Sequence, residues 1–209
     1  MKDGLITTRE CECMNYRRSI SRLRKSGLKS VIDEYSFDKY IADDPWQKNA
    51  KAMAIDYVSD NTGKWFCALG AVGSGKTHLC TAICSEFLKA GKDVRYMLWR
   101  DESVKIKAAT TDSYVYSELL TPYKQASVLY IDDLFKTEHN MSPTPADTLL
   151  AFELLNTRYA NKDLITIISS ERSMSDLLNI DEAVGSRIYQ RSKGYCIEIR
   201  GNDKNMRLK

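Results

Sequence analysis

Short apolar runs alternate with helix-period segments along most of this 209-residue chain. Trp65–Leu69 (WFCAL), Val94–Trp99 (VRYMLW), Val128–Asp132 (VLYID), Leu164–Ser169 (LITIIS) and Tyr195–Ile199 each have the length and apolar character of a buried strand. After the first of them, Thr77–Leu88 repeats Leu79, Ile83, Phe87 and Leu88 at helical spacing. Ala146–Tyr159 (ADTLLAFELLNTRY) follows the turn signal Ser142-Pro143-Thr144-Pro145 and predicts a longer helix. Arg100–Lys107 and Asp112–Leu120 read as two shorter helices broken at Thr110-Thr111. Strands separated by helices predict an α/β fold, a five-stranded parallel sheet with helices on both faces.

Between the first strand and its helix lies Gly70-Ala71-Val72-Gly73-Ser74-Gly75-Lys76-Thr77, which fits the phosphate-binding pattern GxxxxGK[ST] in the strand–loop–helix context that pattern requires. Gly70, Gly73 and Gly75 lack side chains, so the backbone can bend around a polyphosphate and turn its N–H groups inward, with Ser74 between them. The helix beginning near Lys76 adds the positive end of its dipole. Lys76 is then expected to reach the β and γ phosphates and the Thr77 hydroxyl to ligate Mg²⁺, with ATP or a related triphosphate the expected nucleotide.

The third strand closes on Asp132-Asp133, the Walker B arrangement. Buried strand residues would hold Asp132 at the sheet edge, where it orients Mg²⁺ beside Thr77, and would leave Asp133 placed to polarise an attacking water.

Composition sets no obstacle to such a domain. The charged fraction (28%) and the apolar fraction (43%) are those of a globular protein, not of a disordered chain. No apolar run approaches the ~20 residues of a membrane span and no signal peptide is evident, so a cytoplasmic protein is expected, with no membrane contact. Cys67, Cys80, Cys84 and Cys196 fall inside apolar strand and helix patterns and read as core thiols. Only Cys11 and Cys13 stand apart. The net charge of +3 is uneven, because residues 1–30 hold eight Lys or Arg against three acids. Tyr16, Ile20 and Leu23 there share one helical face, giving a short amphipathic helix that ends near Gly27, its cationic side either solvated or set against nucleic acid or a protein.

Four ordered segments, GAVGSGKTH (70–78), VLYIDDLF (128–135), TIISSERSMSDL (166–177) and DEAVGSRIYQRS (181–192), resemble the AAA+ helicase loaders of the DnaC and IstB group, phage and prophage loaders in particular. The strand pattern between the two Walker motifs is likewise similar to the additional-strand class of P-loop ATPases. The resemblance covers roughly residues 31–209 and implies an AAA+ domain there, behind a basic leader over residues 1–30. Cys11-Glu12-Cys13 resembles half of the zinc-binding, helicase-interacting module of several loaders, so zinc would need ligands from outside this chain. The few residues beyond Arg200 are too short for a helical lid domain, which loaders of this group often lack.

By the same resemblance the catalytic set is Lys76, Asp133, Glu171 and Arg187. Gly70, Gly73, Ser74, Gly75, Lys76, Thr77 and His78 would hold the nucleotide, and Thr77 and Asp132 the metal. Glu171 stands where the family carries a polar sensor, with Ser170 as the alternative. Arg187 matches an arginine that reaches a neighbouring subunit's ATP site, and Arg191, one helical turn on, competes for that role. Lys105 and Lys107 are candidates for contact with single-stranded DNA, solvated helix surface being the other reading. Tyr40, Ile41 and Trp46 are candidates for an apolar wall beside the adenine, core packing being the alternative. Arg207 lies where these loaders carry a late arginine, and reads equally as a frayed basic tail. The implied function is an ATP-dependent loader, a slow ATPase that oligomerises on ATP binding and acts on a hexameric replicative helicase and single-stranded DNA. A transposition ATPase of the IstB kind, or a nucleotide-dependent binding module with little hydrolysis, would share the same ATP site.

Overall fold

The computed structural model describes residues 34–59, 62–137 and 141–208. The basic leader with Cys11 and Cys13 lies outside the described residues. In chain order the elements are α1 (Pro45–Ser59), β1 (Phe66–Gly70), α2 (Lys76–Lys89), β2 (Val94–Leu98), α3 (Trp99–Ala108), α4 (Ser113–Gln125), β3 (Val128–Asp132), α5 (Pro145–Ala160), β4 (Ile165–Ser170), α6 (Met174–Ile180), α7 (Glu182–Arg191) and β5 (Cys196–Ile199), followed by two 3₁₀ turns, Asn202–Lys204 and Met206–Leu208. Among these helices none is long and apolar enough to cross a membrane.

All five strands are parallel and lie in the order β2-β3-β4-β1-β5. The strand β4 therefore sits between β1, which carries the glycine loop, and β3, which carries the acidic pair. The strand read between the two Walker motifs in sequence, β2, lies instead at the sheet edge beside β3. Parallel strands point their C-terminal ends the same way, so Gly70, Leu98, Asp132, Ser170 and Ile199 all reach one edge of the sheet, the edge where open α/β sheets bind ligands.

The strands are apolar on both faces because both faces are covered. Phe66, Ala68, Val128, Tyr130, Ile165 and Ile167 pack under α1 and α2, together with Ala54, Tyr57, Leu79, Ile83 and Phe87. The alternate positions, Cys67, Leu69, Leu129, Ile131 and Ile168, face α3 to α7 and meet Ile106, Leu120, Leu154, Leu155 and Ile188. Alternation with period two thus divides each strand between two cores.

Most element boundaries lie within a residue of those read in the sequence, and two of the differences have a clear physical cause. Trp99 opens α3 instead of closing β2, and its ring lies edge-on to Phe135 at 5.5 Å between centroids. A buried aromatic contact fixes it there, which the apolar run VRYMLW could not indicate. The second expected helix also runs past Leu120 and through Pro122 to Gln125, anchored at its start by Asp112, whose carboxylate accepts from the backbone N–H groups of Tyr114 and Val115. Farther on, α6 and α7 pack so closely that a Cβ at Gly185 would stand 2.7 Å from the Leu178 backbone. That close approach accounts for glycine in the Gly185-Ser186-Arg187 segment.

One buried cation ties the sheet to the α4–β3 connection. Arg158, on α5, is fully buried; its guanidinium donates to the carbonyls of Tyr123, Lys124, Ala126 and Ile165 and to the Thr166 hydroxyl, at 2.6 to 3.2 Å. Burial pulls its pKa down to about 9. Three of these carbonyls stand at or just beyond the C-terminus of α4, where the helix dipole favours a cation. Replacing Arg158 with Ala removes the donor from several buried acceptors and leaves a void, and is expected to cost about 4 kcal/mol in urea unfolding.

Candidate functional site

The glycine loop joins β1 to α2 in the conformation a phosphate cradle needs. Gly70, Gly73 and Gly75 all take left-handed φ values of 97°, 68° and 83°. At Gly70 even a methyl group is excluded, since a Cβ would fall 2.2 Å from the Ile199 carbonyl oxygen. The loop is tied to β5 by the Ala71 N–H, which donates to Ile199 O at 2.8 Å. Ser74 turns inward and donates to Ala71 O at 2.8 Å. Lys76 opens α2, almost completely buried, and its ammonium donates to the carbonyls of Gly70 (2.9 Å) and Ala71 (2.6 Å). Burial lowers its pKa, with the nearby Asp133 and Glu171 carboxylates acting against that shift. A triphosphate would exchange these carbonyls for phosphate oxygens.

Asp132, at the end of β3, is held by four hydroxyls. Its Oδ1 accepts from Tyr130 at 2.7 Å, from Thr77 at 3.3 Å and from Ser169, while Oδ2 accepts from Tyr96 at 2.9 Å. Hydrogen bonds to a charged acceptor are the strong kind, so a nearly buried carboxylate is kept in one place. Thr77 and Asp132 bring a hydroxyl and a carboxylate together as hard oxygen donors, a set that fits Mg²⁺ sharing its sphere with phosphate and water.

The chain then turns sharply. Asp133 and Phe135 both adopt left-handed backbones, φ 57° and 58°, which non-glycine residues rarely do. The turn is enforced by β4: Asp133 N–H donates to Ser169 Oγ (3.1 Å), Leu134 N–H to Ser169 O (2.9 Å), and Ser170 Oγ to Leu134 O (2.6 Å). Phe135 is fully buried and anchors the far side. The Asp133 side chain is thereby delivered into the cleft. Its pKa is raised by burial and by the neighbouring Asp132, with Lys136 pulling the other way.

A cleft of about 220 Å³ opens over the loop, lined by Tyr35, the residues from Val72 to His78, Asp133, Lys136, Glu171, Met206 and Arg207. It gathers Gly73, Ser74, Gly75, Lys76, Thr77, His78, Asp133 and Glu171 of the residues expected from the sequence. His78 stacks on Tyr35 at 4.5 Å, and its Nε2–H donates to Ser36 O at 2.9 Å; since a carbonyl can only accept, Nε2 carries the proton.

Several expectations are changed by their surroundings. Ser170 is not free to sense a ligand, because it is fully buried, donates to Leu134 O and accepts from Arg172 N–H. Glu171 does line the cleft, but as one end of an ion pair with Lys136 at 2.7 Å. Arg191 is bound to the carbonyls of Tyr159 (2.9 Å) and Gly63, a structural tie between α7, α5 and the segment before β1. Arg187 is half-buried, lies over the rings of Phe152 and Tyr159, and donates to Asn156 and to Ala183 O; it does not line its own chain's cleft. Lys107 is ion-paired with Asp147, the residue that closes the Thr144 capping box of α5, so it pins α3 to α5. Lys105 stays largely exposed beside Glu102. Of the expected adenine wall, Tyr40 packs in the core beneath Gly75, Ile41 faces solvent, and Trp46 lies under the Lys204 ammonium. Tyr35 lines the cleft instead.

Sequence reading gave no sign of two contributors. Tyr96 and Tyr130 each looked like an apolar strand residue, although a tyrosine pointing toward a strand-terminal acid is a signal that could be sought. At the C-terminal turn, Met206 N–H donates to Gly73 O at 3.0 Å, and Arg207, for which a late arginine and a frayed tail were the two readings, lines the cleft.

Comparison with known proteins agrees with this geometry. A family profile described as IstB-like ATP binding protein matches residues 3–209. YqaM of Bacillus subtilis (strain 168) is 32% identical over 206 residues, covering 93% of this chain and 64% of YqaM. The phage-like element PBSX protein XkdC of the same organism is 32% identical over 211 residues, 96% of this chain and 77% of XkdC. The replicative helicase loader DnaC of Escherichia coli (strain K12) is 32% identical over 129 residues, 60% of this chain and 51% of DnaC. The chain thus spans about half of DnaC and under two thirds of YqaM. Among solved structures, the DnaC helicase loader superposes with a TM-score of 0.66 at 19% identity, over 81% of this chain and 98% of that one. DnaA from Aquifex aeolicus bound to AMPPCP gives 0.65 at 23%, over 82% and 52%. The chain belongs to the IstB-like ATP binding protein family, with an AAA+ P-loop fold.

Proposed function

We propose that this chain is an ATP-dependent loader of a hexameric replicative helicase, assembling on ATP and engaging single-stranded DNA. The observation that carries the reading is a cleft with every group needed in cis, but with its matching arginine turned elsewhere. Lys76 and the loop amides take the phosphates, and Thr77 and Asp132 hold Mg²⁺. Mg²⁺, when bound, neutralises charge on the phosphoryl oxygens. Asp133 orients the attacking water, and Arg187, displayed on α7 away from its own cleft, completes the site of a neighbouring copy. A site divided between copies makes nucleotide occupancy a signal for assembly. The name of the E. coli relative, a replicative helicase loader, supports the partner class. Lys105, exposed on α3, is the remaining candidate for phosphate contact with a single strand.

The family description, IstB-like ATP binding protein, leaves room for a second reading, in which the partner is a transposase. The ATP site would be the same and only the partner would differ. Purified chain should retain the cognate hexameric helicase on a pull-down with ATP and release it with ADP. Nucleotide-independent association, or capture of a transposase in place of the helicase, would reject the loader reading.

The role of Asp133 fixes a pH dependence. A carboxylate that must be ionised to orient water loses function on protonation, and burial beside Asp132 raises its pKa. Bound phosphate would raise it further. The acid limb of the kcat profile is therefore expected to fall at a midpoint above the 3.8 of an ordinary aspartate, and Asp133→Asn to lose turnover while still binding ATP. An acid limb at or below that value would remove Asp133 from the role.

A further inference from the structure

We propose that Lys136 is the group by which the cleft tells a triphosphate from a diphosphate, with Glu171 as the residue that positions it. The proposal rests on the reading of this cleft as an ATP site and adds a cation to it. Lys136 Nζ stands 3.0 Å from Asp133 Oδ2 and 2.7 Å from Glu171 Oε1, bridging the tips of β3 and β4. All three side chains line the same cleft as Lys76 and Thr77.

Distance places this ammonium at the reacting end of the nucleotide. A water activated by Asp133 must lie within about 3 Å of that carboxylate and on the far side of the terminal phosphate. Lys136 touches the same carboxylate, so its ammonium and that water would share one corner of the cleft. A diphosphate ends short of that point.

The backbone is built to hold the lysine there. Lys136 N–H donates to Asp133 O at 2.9 Å and closes the turn whose two left-handed residues, Asp133 and Phe135, are clamped by Ser169, Ser170 and the buried Phe135 ring. That i to i+3 bond brings position 136 back beside Asp133. Although partial burial disfavours its charge, its bonds to Glu171 and Asp133 hold the Lys136 pKa above the usual value, so it remains a full cation.

Electrostatics supplies the switch. Without nucleotide, two carboxylates share the one ammonium, and Asp133 is engaged on its Oδ2. A γ-phosphate adds charge beside them and competes for Lys136. When the lysine turns to the phosphate, Asp133 is released to take the water, while Glu171 keeps the ammonium from leaving the cleft. Glu171, at the tip of β4, thus acts through Lys136.

The test compares wild type with Lys136→Gln, Lys136→Arg, Glu171→Gln and Lys76→Ala, measuring the Kd of a non-hydrolysable ATP analogue and of ADP, each with Mg²⁺. Lys136→Gln is expected to weaken the analogue about tenfold and leave ADP unchanged, as loss of one charge-assisted contact to the γ-phosphate requires. Lys136→Arg should restore the preference, and Glu171→Gln should shift it in the same direction as Lys136→Gln. Unchanged ADP binding also reports an intact fold. If Lys136→Gln keeps the wild-type ratio, or loses both nucleotides equally, while Lys76→Ala abolishes binding, the role of Lys136 is overturned and the ATP site stands. If Lys76→Ala also binds as wild type does, the ATP reading of the cleft falls and this proposal falls with it.

Discussion

One serine joins the two halves of the acidic corner. The Ser169 hydroxyl donates to Asp132 and receives the Asp133 N–H, and its carbonyl receives the Leu134 N–H, so the tip of β3 is bound to its neighbour β4 through consecutive residues. That tie helps to offset the strain of the left-handed backbone at Asp133. The consequence runs outward: Asp132 stays within reach of Thr77, Asp133 enters the cleft, and Phe135 is driven into the core against Trp99. Site geometry and core packing are therefore one structure, and a change at Ser169 would be felt in both.

The additional strand makes this arrangement available. With β4 between β1 and β3, the glycine loop and the acidic tip are separated by one strand width, and that strand's C-terminal residues fill the gap. Ser169 holds the Asp132 carboxylate, Ser170 holds the turn, and Glu171 emerges into the cleft with Lys136. Three successive residues at one strand end thus have three separate tasks. The apolar residues before them, Ile165, Ile167 and Ile168, are buried in both cores and make that strand end rigid.

Much of this was legible in the chain because it follows from local rules. The glycine spacing, the apolar strand ending on Asp132-Asp133 and the helical period of 77–88 each depend on neighbours in sequence, and the five parallel strands and two-sided core came from the same patterns. What stayed hidden depends on residues far apart in the chain. Lys107 looked like a free surface cation, yet it meets Asp147 forty residues later. Arg191 and Arg187 share one helix and one residue type, and only the fold shows that the first is bound to the Gly63 and Tyr159 carbonyls. Tyr96 and Tyr130 carried no polar signal until the sheet placed both phenols on Asp132.

The proposed division of the site between copies is the point on which the functional reading turns. Lys76 and Asp133 line the cleft, whereas Arg187, on α7, does not. Mixing two inactive variants, Lys76→Ala and Arg187→Ala, tests this most directly through steady-state ATP turnover. A shared site predicts that each variant alone is inactive and that the mixture regains turnover, because an Arg187→Ala copy can bind ATP and receive the arginine of a Lys76→Ala neighbour. A mixture no more active than the sum of its parts would contradict it.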